Sequence, residues 1–123
     1  MMYNIIKKMY KIIFYKTLRG EELALSFIDS LQDNVKGKTL RWLKRLEELG
    51  PDLHRPFADV LTGKIRELRI SHGRYEIRLL FFFYDKYIIV TNGFMKKSDK
   101  VPVSEIEKAI NYMNDFLLRI GGK

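Results

Sequence analysis

Residues 61–97 read LTGKIRELRISHGRYEIRLLFFFYDKYIIVTNGFMKK, and this stretch decides the fold. It contains three runs rich in β-branched and aromatic residues, which is the composition of strands. The first two runs are separated by Ser71-His72-Gly73 and the last two by Tyr84-Asp85-Lys86, both typical turn sequences. Strands joined by such short turns must pair antiparallel. The stretch therefore predicts a three-stranded meander with strands at 65–71, 75–83 and 87–92.

The residues on either side of this meander predict one further strand and three helices. A β-branched and aromatic strand is expected at 10–15. Apolar residues at helical spacing predict a first helix at 21–32. A second helix is predicted through Leu40 and Leu49, and Gly50-Pro51 ends it. Pro102 and the capping-box pattern Ser104-x-x-Glu107 open a C-terminal helix. The predicted order is β-α-α-β-β-β-α, an α+β fold with a small twisted, antiparallel-rich sheet packed on a helical hairpin.

Composition limits the classes of protein that fit the chain. The 123 residues contain no repeat or Pro/Gly/Ser-rich linker, so a single domain over 1–123 is expected, with 1–8 as an N-terminal arm. Cysteine is absent and there are only two histidines, which makes a metal site or a disulfide a poor expectation. No glycine loop for phosphates and no apolar run of roughly 18 residues is present. We expect a cytoplasmic protein without cofactor, metal or membrane partner.

The positive charge of the chain is concentrated on the predicted meander. The net charge is +8, and residues 61–100 carry nine cations against four acids. Side chains alternate between the two faces of a strand, so Glu67, Arg69 and Arg78 should project together from one face. Leu80 and Phe82 have the same parity as Arg78, and we expect the C-terminal helix to cover them while Arg78 lies nearer the open end. Such a basic surface favours a polyanionic partner.

Four short motifs in this order resemble the RelE/ParE superfamily of toxins, and within it the HigB-like, phage-related branch. They are Leu61-x-Gly63-x-x-x-Glu67-Leu68-Arg69-Ile70, Tyr75-x-x-Arg78, Gly93-Phe94-x-Lys96-Lys97 and Pro102-x-x-Glu105-Ile106. The resemblance implies a RelE-like fold and the toxin of a type II toxin-antitoxin system. Such toxins are ribosome-dependent, metal-independent endoribonucleases that cleave mRNA. The implied partners are a cognate antitoxin of the helix-turn-helix type, the ribosome and mRNA.

Two other functions remain open on the same fold. ParE-type relatives inhibit DNA gyrase without nuclease chemistry, and a degenerate member would be a non-toxic module that binds an antitoxin or nucleic acid. Fold alone does not choose between these functions. The arginine-bearing face and Lys96-Lys97 favour RNA.

The resemblance also suggests roles for individual residues. Arg69 and Arg78 match the positions that bind phosphate and stabilise the charge of the transition state, work that suits arginine. Lys96 or Lys97 matches the basic position that protonates the leaving group or contacts the RNA backbone. The alternative for Arg69 is an ion pair with Glu67 or Glu76, and the alternative for the two lysines is an ordinary charged loop.

The general base is not fixed by the motifs. Glu67, Lys64 and His72 are candidates, with His54 a weaker one, and a cluster of Lys64, Arg66 and Arg69 could help a lysine to lose its proton. Either Phe94 or Tyr75 could stack on a base, although core packing also accounts for them. The nuclease interpretation requires that Arg69 and Arg78 share one face and are not locked in buried carboxylate clamps. Further RNA contacts are expected from Lys64, Arg66, His72, Arg74 and Phe94.

Overall fold

The structure, a computed structural model, describes residues 9–121 and contains a five-stranded sheet with helices on both faces. The strands are β1 (Lys11–Phe14), β2 (Ala58–Thr62), β3 (Ile65–His72), β4 (Tyr75–Tyr84) and β5 (Tyr87–Met95). The helices are α1 (Leu23–Asp29), α2 (Asp33–Leu49) and α3 (Val103–Gly121), with a 3₁₀ turn at Gly50–Asp52 after α2. The strand order is β1-β5-β4-β3-β2. Among the strands of residues 9–121 only β1 and β5 pair in parallel, and this confirms the α+β class and the antiparallel-rich sheet.

The predicted element order omits β2. This strand pairs with β3 at the sheet edge, with Ala58 opposite Leu68 and Asp59 opposite Glu67. Its sequence, ADVLT, has only five residues and begins with Ala and Asp, two residues that are depleted in strands. Pairing with β3 rather than local propensity stabilises it. The full order is therefore β-α-α-β-β-β-β-α.

Several predicted boundaries also need correction. β3 continues through His72, so the hairpin turn is Gly73-Arg74 and His72 belongs to the strand. β5 extends beyond the predicted end to Met95, and α1 is shorter than the predicted helix. Since α3 begins at Val103, Ser104 lies inside the helix rather than at its N-cap. The arm predicted at 1–8 lies outside the described residues.

Each face of the sheet is covered by a different helical layer. Helices α1 and α2 pack on one face through Ala24, Ile28, Val35, Leu43 and Leu46, against Leu68, Ile70, Ile77, Leu79 and Phe81. Helix α3 covers the other face, where Ala109 packs with Leu80, Phe82, Ile89 and Phe94. The prediction that the C-terminal helix covers Leu80 and Phe82 is thus confirmed. Because both faces of β4 are buried, its sequence is a nearly continuous apolar run.

The second half of β5 lies close to α1. A Cβ atom on Gly93 would lie 2.6 Å from Leu79 Cδ2 and 2.7 Å from Phe27 Cδ2, so only glycine fits there. Just before Gly93, the β4–β5 register shifts between Leu80 and Phe81, leaving an extra residue in β5. This close packing fixes the path of β5 towards Lys96. Among residues 9–121, no helix is long and apolar enough to cross a membrane.

Candidate functional site

Arg69 and Arg78 lie directly opposite each other on neighbouring strands. They are paired in the register of β3 and β4, so their side chains project from the same face of the sheet, the face that α3 covers. The first condition of the nuclease interpretation is therefore met. Two like charges at such a position repel each other, and an acid between them is needed to hold the pair.

Glu67 supplies that acid. Its Oε2 atom accepts from Arg69 at 2.9 Å from Nε and lies 2.8 Å from Nη2, while its Oε1 atom lies 3.3 Å from Arg78 Nε. Glu76 contacts the other side of Arg78, with 3.4 Å between Oε1 and Nη1. Glu67 is 3% exposed and Arg78 is 7% exposed, whereas the Arg69 side chain is 31% exposed. The second condition thus fails: buried Glu67 holds Arg69 at hydrogen-bonding distance and Arg78 at 3.3 Å. A phosphate can therefore be bound only by the guanidinium nitrogens that the carboxylates leave unused.

One contact within this cluster is incomplete. Glu67 Oε1 and Arg78 Nε are close enough for an ion pair, yet neither atom makes a hydrogen bond anywhere in the described part of the chain. A buried polar atom without a hydrogen bond costs free energy, so this contact is the weakest of the cluster.

A second carboxylate connects Arg69 to the edge of the sheet. Asp59 on β2 lies 3.5 Å from Arg69 Nη2 and accepts a hydrogen bond from Arg55 Nε at 2.7 Å. The hydrogen bond from Arg55 holds the pKa of Asp59 below its usual value, and the charge of Arg69 adds to this effect. Arg69 is therefore oriented by two carboxylates, Glu67 on its own strand and Asp59 on β2.

The arginine pair forms a wall shared by two cavities. The first, about 460 Å³ in volume, is called here the lysine cavity and is also lined by Leu61, Glu67, Lys96, Asp99, Lys100, Val101 and Ile106. The second, about 230 Å³, is called the aromatic cavity and is also lined by Lys38, Trp42, Pro56, Phe57, Ser71 and Glu76. A ligand that passes over the arginine pair would contact both cavities.

Backbone and side-chain hydrogen bonds fix the rim of the lysine cavity. The Lys96 N–H donates to Glu76 O at 2.7 Å, which keeps Lys96 beside β4 after β5 ends. Buried Asn92 donates from Nδ2 to Glu105 O at 3.2 Å and to Glu105 Oε1 at 2.9 Å. The amide thereby ties the first turn of α3 to β5 and places Ile106 at the cavity.

Residues 26–114 match the family model of the phage-derived Gp49-like proteins (DUF891). The chain belongs to the Gp49-like family. Gp49-like proteins are RelE/HigB-like toxins, in agreement with the resemblance found from the motifs. The match runs from α1 into α3 and includes every residue that lines the two cavities. No curated protein matches the chain.

The fold of this Gp49-like protein brings together four of the predicted site residues and separates the others. Glu67, Arg69, Arg78 and Lys96 all line the lysine cavity. Lys97 and Lys64 are exposed, and Lys64 lies in the turn between β2 and β3. His72 and Arg74 lie at the end of the β3–β4 hairpin, outside the lining of either cavity.

Arg66 lies on the other face of β3. Its guanidinium carbon is 5.3 Å from the centroid of the Phe83 ring, and neighbouring Leu68 belongs to the core under α1 and α2. The predicted cluster of Lys64, Arg66 and Arg69 is therefore not formed, because alternation along the strand directs Arg66 away from Arg69.

The aromatic residues considered for base stacking pack in the cores. Phe94 is 9% exposed and belongs to the core under α3, and Tyr75 packs against the core under α1 and α2. His54 is exposed and accompanies Arg66 in a separate groove. Within residues 9–121, no group of three or more His, Cys, Asp or Glu side chains could hold a metal ion.

Four residues of the site are absent from the sequence-based predictions. Lys100 follows Lys96 and Lys97 in one cationic segment, and that charge run is a signal that could have found it. Lys38 and Trp42 are one helical turn apart, a spacing that places them on one face of α2. Phe57 follows Pro56 in a loop, and its approach to Trp42 depends on tertiary packing.

Proposed function

We propose that this Gp49-like protein is the toxin of a type II toxin-antitoxin system and a ribosome-dependent, metal-independent endoribonuclease that cleaves mRNA. The observation that supports the proposal is the cross-strand pair Arg69–Arg78, which borders a cavity that also contains Lys96 and Lys100. Two guanidinium groups on one face can donate hydrogen bonds to different oxygens of a single phosphate, each from a nitrogen that the neighbouring carboxylates leave unused.

In the proposed reaction a ribose 2′-oxygen attacks the neighbouring phosphate and its proton passes to water. The P–O5′ bond breaks, which leaves a 2′,3′-cyclic phosphate, and the departing 5′-oxygen takes up a proton. The transition state carries additional negative charge on the phosphate oxygens, and fixed donors lower its free energy. In residues 9–121 no hydrogen bond uses Arg69 Nη1 or Arg78 Nη2, so these nitrogens can donate to phosphate. Glu67 is the positioning residue that holds both arginines before the substrate binds.

Lys96 is proposed to contact the RNA backbone or to protonate the leaving oxygen from the lysine cavity. Lys100 adds a second cation to that cavity. The cognate antitoxin, a helix-turn-helix protein in this proposal, would neutralise the toxin by covering this cationic region in the cytoplasm. Such a contact would exclude mRNA through charge and shape together.

Induction of the wild-type chain in bacteria, followed by primer extension on mRNA, tests this function. Translation should stop and new 5′ ends should appear in the coding regions. Arg69→Ala should lower the cleavage rate by about 100- to 1000-fold, the usual effect of removing one donor to a developing charge. Lys44→Ala is the matched control, because Lys44 is an exposed cation on α2 in a groove separate from both cavities.

The same experiment separates the alternatives. Intact mRNA with double-strand DNA breaks would support a gyrase inhibitor and contradict the nuclease. Normal growth under strong induction would support a non-toxic binding module. Full mRNA cleavage by both Arg69→Ala and Arg78→Ala would show that the site lies elsewhere.

A further inference from the structure

Trp42 and Phe57 form a stacked pair in the aromatic cavity. Their ring centroids are 4.6 Å apart and the ring planes differ by 23°. Trp42 packs partly against the core under α1 and α2, but Phe57 is 41% exposed and is not among the residues packed against either core. Packing within the fold therefore explains Trp42 but does not explain why a large aromatic ring is left at the surface beside it.

The position of Phe57 is fixed relative to the arginine pair. The Arg69 N–H donates to Phe57 O at 2.8 Å, so the loop is bonded to the strand that carries the arginine. Phe57 N–H and Ala58 N–H both donate to His54 O, at 3.0 Å and 3.2 Å. These bonds fix the backbone of Phe57, and the stack on Trp42 restricts its ring. The ring therefore loses little freedom when a ligand stacks on it, which favours affinity.

Polar groups surround the ring pair in the same cavity. Lys38 Nζ donates to Ser71 O from α2, and Ser71 Oγ donates to Glu76 Oε1 at 2.8 Å. The Glu76 side chain is 43% exposed and is an acceptor. Lys38 has three donors and uses one of them on Ser71 O, whereas Ser71 Oγ uses its single proton on Glu76 and can only accept. A flat apolar surface with donors and an acceptor at its edge is the arrangement by which proteins bind unpaired nucleobases.

The geometry points to the aromatic cavity as a nucleobase subsite, in which a base of single-stranded RNA next to the phosphate at Arg69 and Arg78 stacks on the Trp42–Phe57 pair. This inference rests on the proposed function and deepens it by assigning the RNA two contact regions. The phosphate lies at the arginine wall, and the base enters the aromatic cavity on one side of that wall. The backbone continues over the lysine cavity on the other side.

Trp42 is the only tryptophan of the chain, so its fluorescence reports directly on this cavity. The experiment titrates the full-length protein with a 2′-O-methyl oligoribonucleotide, which binds without being cleaved. Binding should change the emission of Trp42. Phe57→Ala should weaken the affinity roughly 5- to 150-fold, the range for loss of one base–aromatic stack. Phe57→Tyr retains the aromatic ring and should bind the oligonucleotide with the affinity of the wild type.

Leu40→Ala is the matched control, since Leu40 is an exposed apolar residue of α2 that lines a different groove. Heparin, a polyanion without bases, should leave the emission of Trp42 unchanged. The subsite is wrong if the oligonucleotide at saturation leaves the emission unchanged, if heparin gives the same change, or if Phe57→Ala binds as tightly as the wild type.

A cleavage assay distinguishes this result from failure of the proposed function. A change in Trp42 emission that depends on Phe57, with no mRNA cleavage in cells, would support the subsite and contradict the nuclease. Conversely, cleavage by Phe57→Ala with unchanged rate and unchanged base preference would retain the nuclease and contradict the subsite.

Discussion

Glu67 is the residue on which the geometry of the site depends. It is buried, and its two oxygens face two different arginines across a pair of strands. Removal of one partner from a buried ion pair leaves the other charge without compensation, which costs more than the pair itself contributes. At an exposed ion pair the same substitution has little effect, because water replaces the lost partner.

We therefore expect Glu67→Ala to lower the free energy of unfolding by about 3–5 kcal/mol. Glu48→Ala, at an exposed pair in which Glu48 Oε1 lies 3.5 Å from Arg45 Nη1, should cost less than about 1 kcal/mol. Urea unfolding followed by the fluorescence of Trp42 measures both. If both variants lost the same free energy of unfolding, Glu67 would not be compensating the charges of Arg69 and Arg78.

The sequence predicts the shared face of these residues but not their register. Alternation along the strands places Glu67, Arg69 and Arg78 on one side, as the structure has them. The pairing of Arg69 with Arg78 depends on the hairpin turn, which is Gly73-Arg74 rather than the predicted Ser71-His72-Gly73. A change of turn length alters every cross-strand pair, and no pattern in the strands themselves sets that length.

At the scale of elements, a polar contact fixes the C-terminal half of α3 to the chain just after β1. Tyr15 donates from its hydroxyl to Asp115 Oδ2 at 2.6 Å, and Arg119 Nη2 donates to the same oxygen at 2.6 Å and to Lys16 O at 2.7 Å. The Tyr15 ring stacks on Tyr112, with 4.6 Å between the ring centroids. Since the first turn of α3 borders the lysine cavity, this contact holds the helix that shapes the site.

Burial, together with the hydrogen bond to Asp115, raises the pKa of Tyr15 to about 12 from an ordinary 10.0. The folded chain therefore retains the proton longer than the unfolded chain. The contribution of Tyr15 to stability is complete below pH 10 and decreases as the pH rises from 10 to 12. The hydrogen bond from Tyr15 also holds the pKa of Asp115 below its usual value.

Tyr15→Phe should accordingly lower the free energy of unfolding by about 1.5–3 kcal/mol at pH 8, the contribution of one hydrogen bond to a charged acceptor. The difference from the wild type should shrink above pH 10. Urea unfolding at a series of pH values measures it. Tyr84→Phe is the control, because the Tyr84 hydroxyl makes no hydrogen bond within residues 9–121. If this variant lost the same free energy of unfolding with the same pH dependence, the contact with Asp115 would be excluded as the cause.

The elements differ in how far the sequence determines them. The meander and both long helices have strong periodicity, and their positions were predictable. β2 and the loop before it were not, because ADVLT becomes a strand only by pairing with β3. The stack of Phe57 on Trp42 joins that loop to α2, so it too depends on tertiary structure.

At the scale of the whole molecule, the net charge of +8 is unevenly distributed, and two lysines of the segment between β5 and α3 reach the site. Lys96 and Lys100 line the lysine cavity beside the arginine wall. Lys44 instead lies in a groove with Ile12 and Glu47. Each lysine that neutralises a phosphate releases counterions when RNA binds, so the number of contacts sets the salt dependence of the affinity.

If the RNA backbone crosses the lysine cavity, removal of both of its lysines should change that salt dependence. The plot of log affinity against log salt concentration should become shallower by about 1.4 in the double variant Lys96→Ala, Lys100→Ala, because each contact with a single strand contributes about 0.7. Lys44→Ala should leave the slope unchanged. Titrations of Trp42 fluorescence with the 2′-O-methyl oligonucleotide, between about 50 and 200 mM salt, measure the slopes. A double variant with the wild-type slope would place the backbone outside this cavity, whatever its effect on the affinity at one salt concentration.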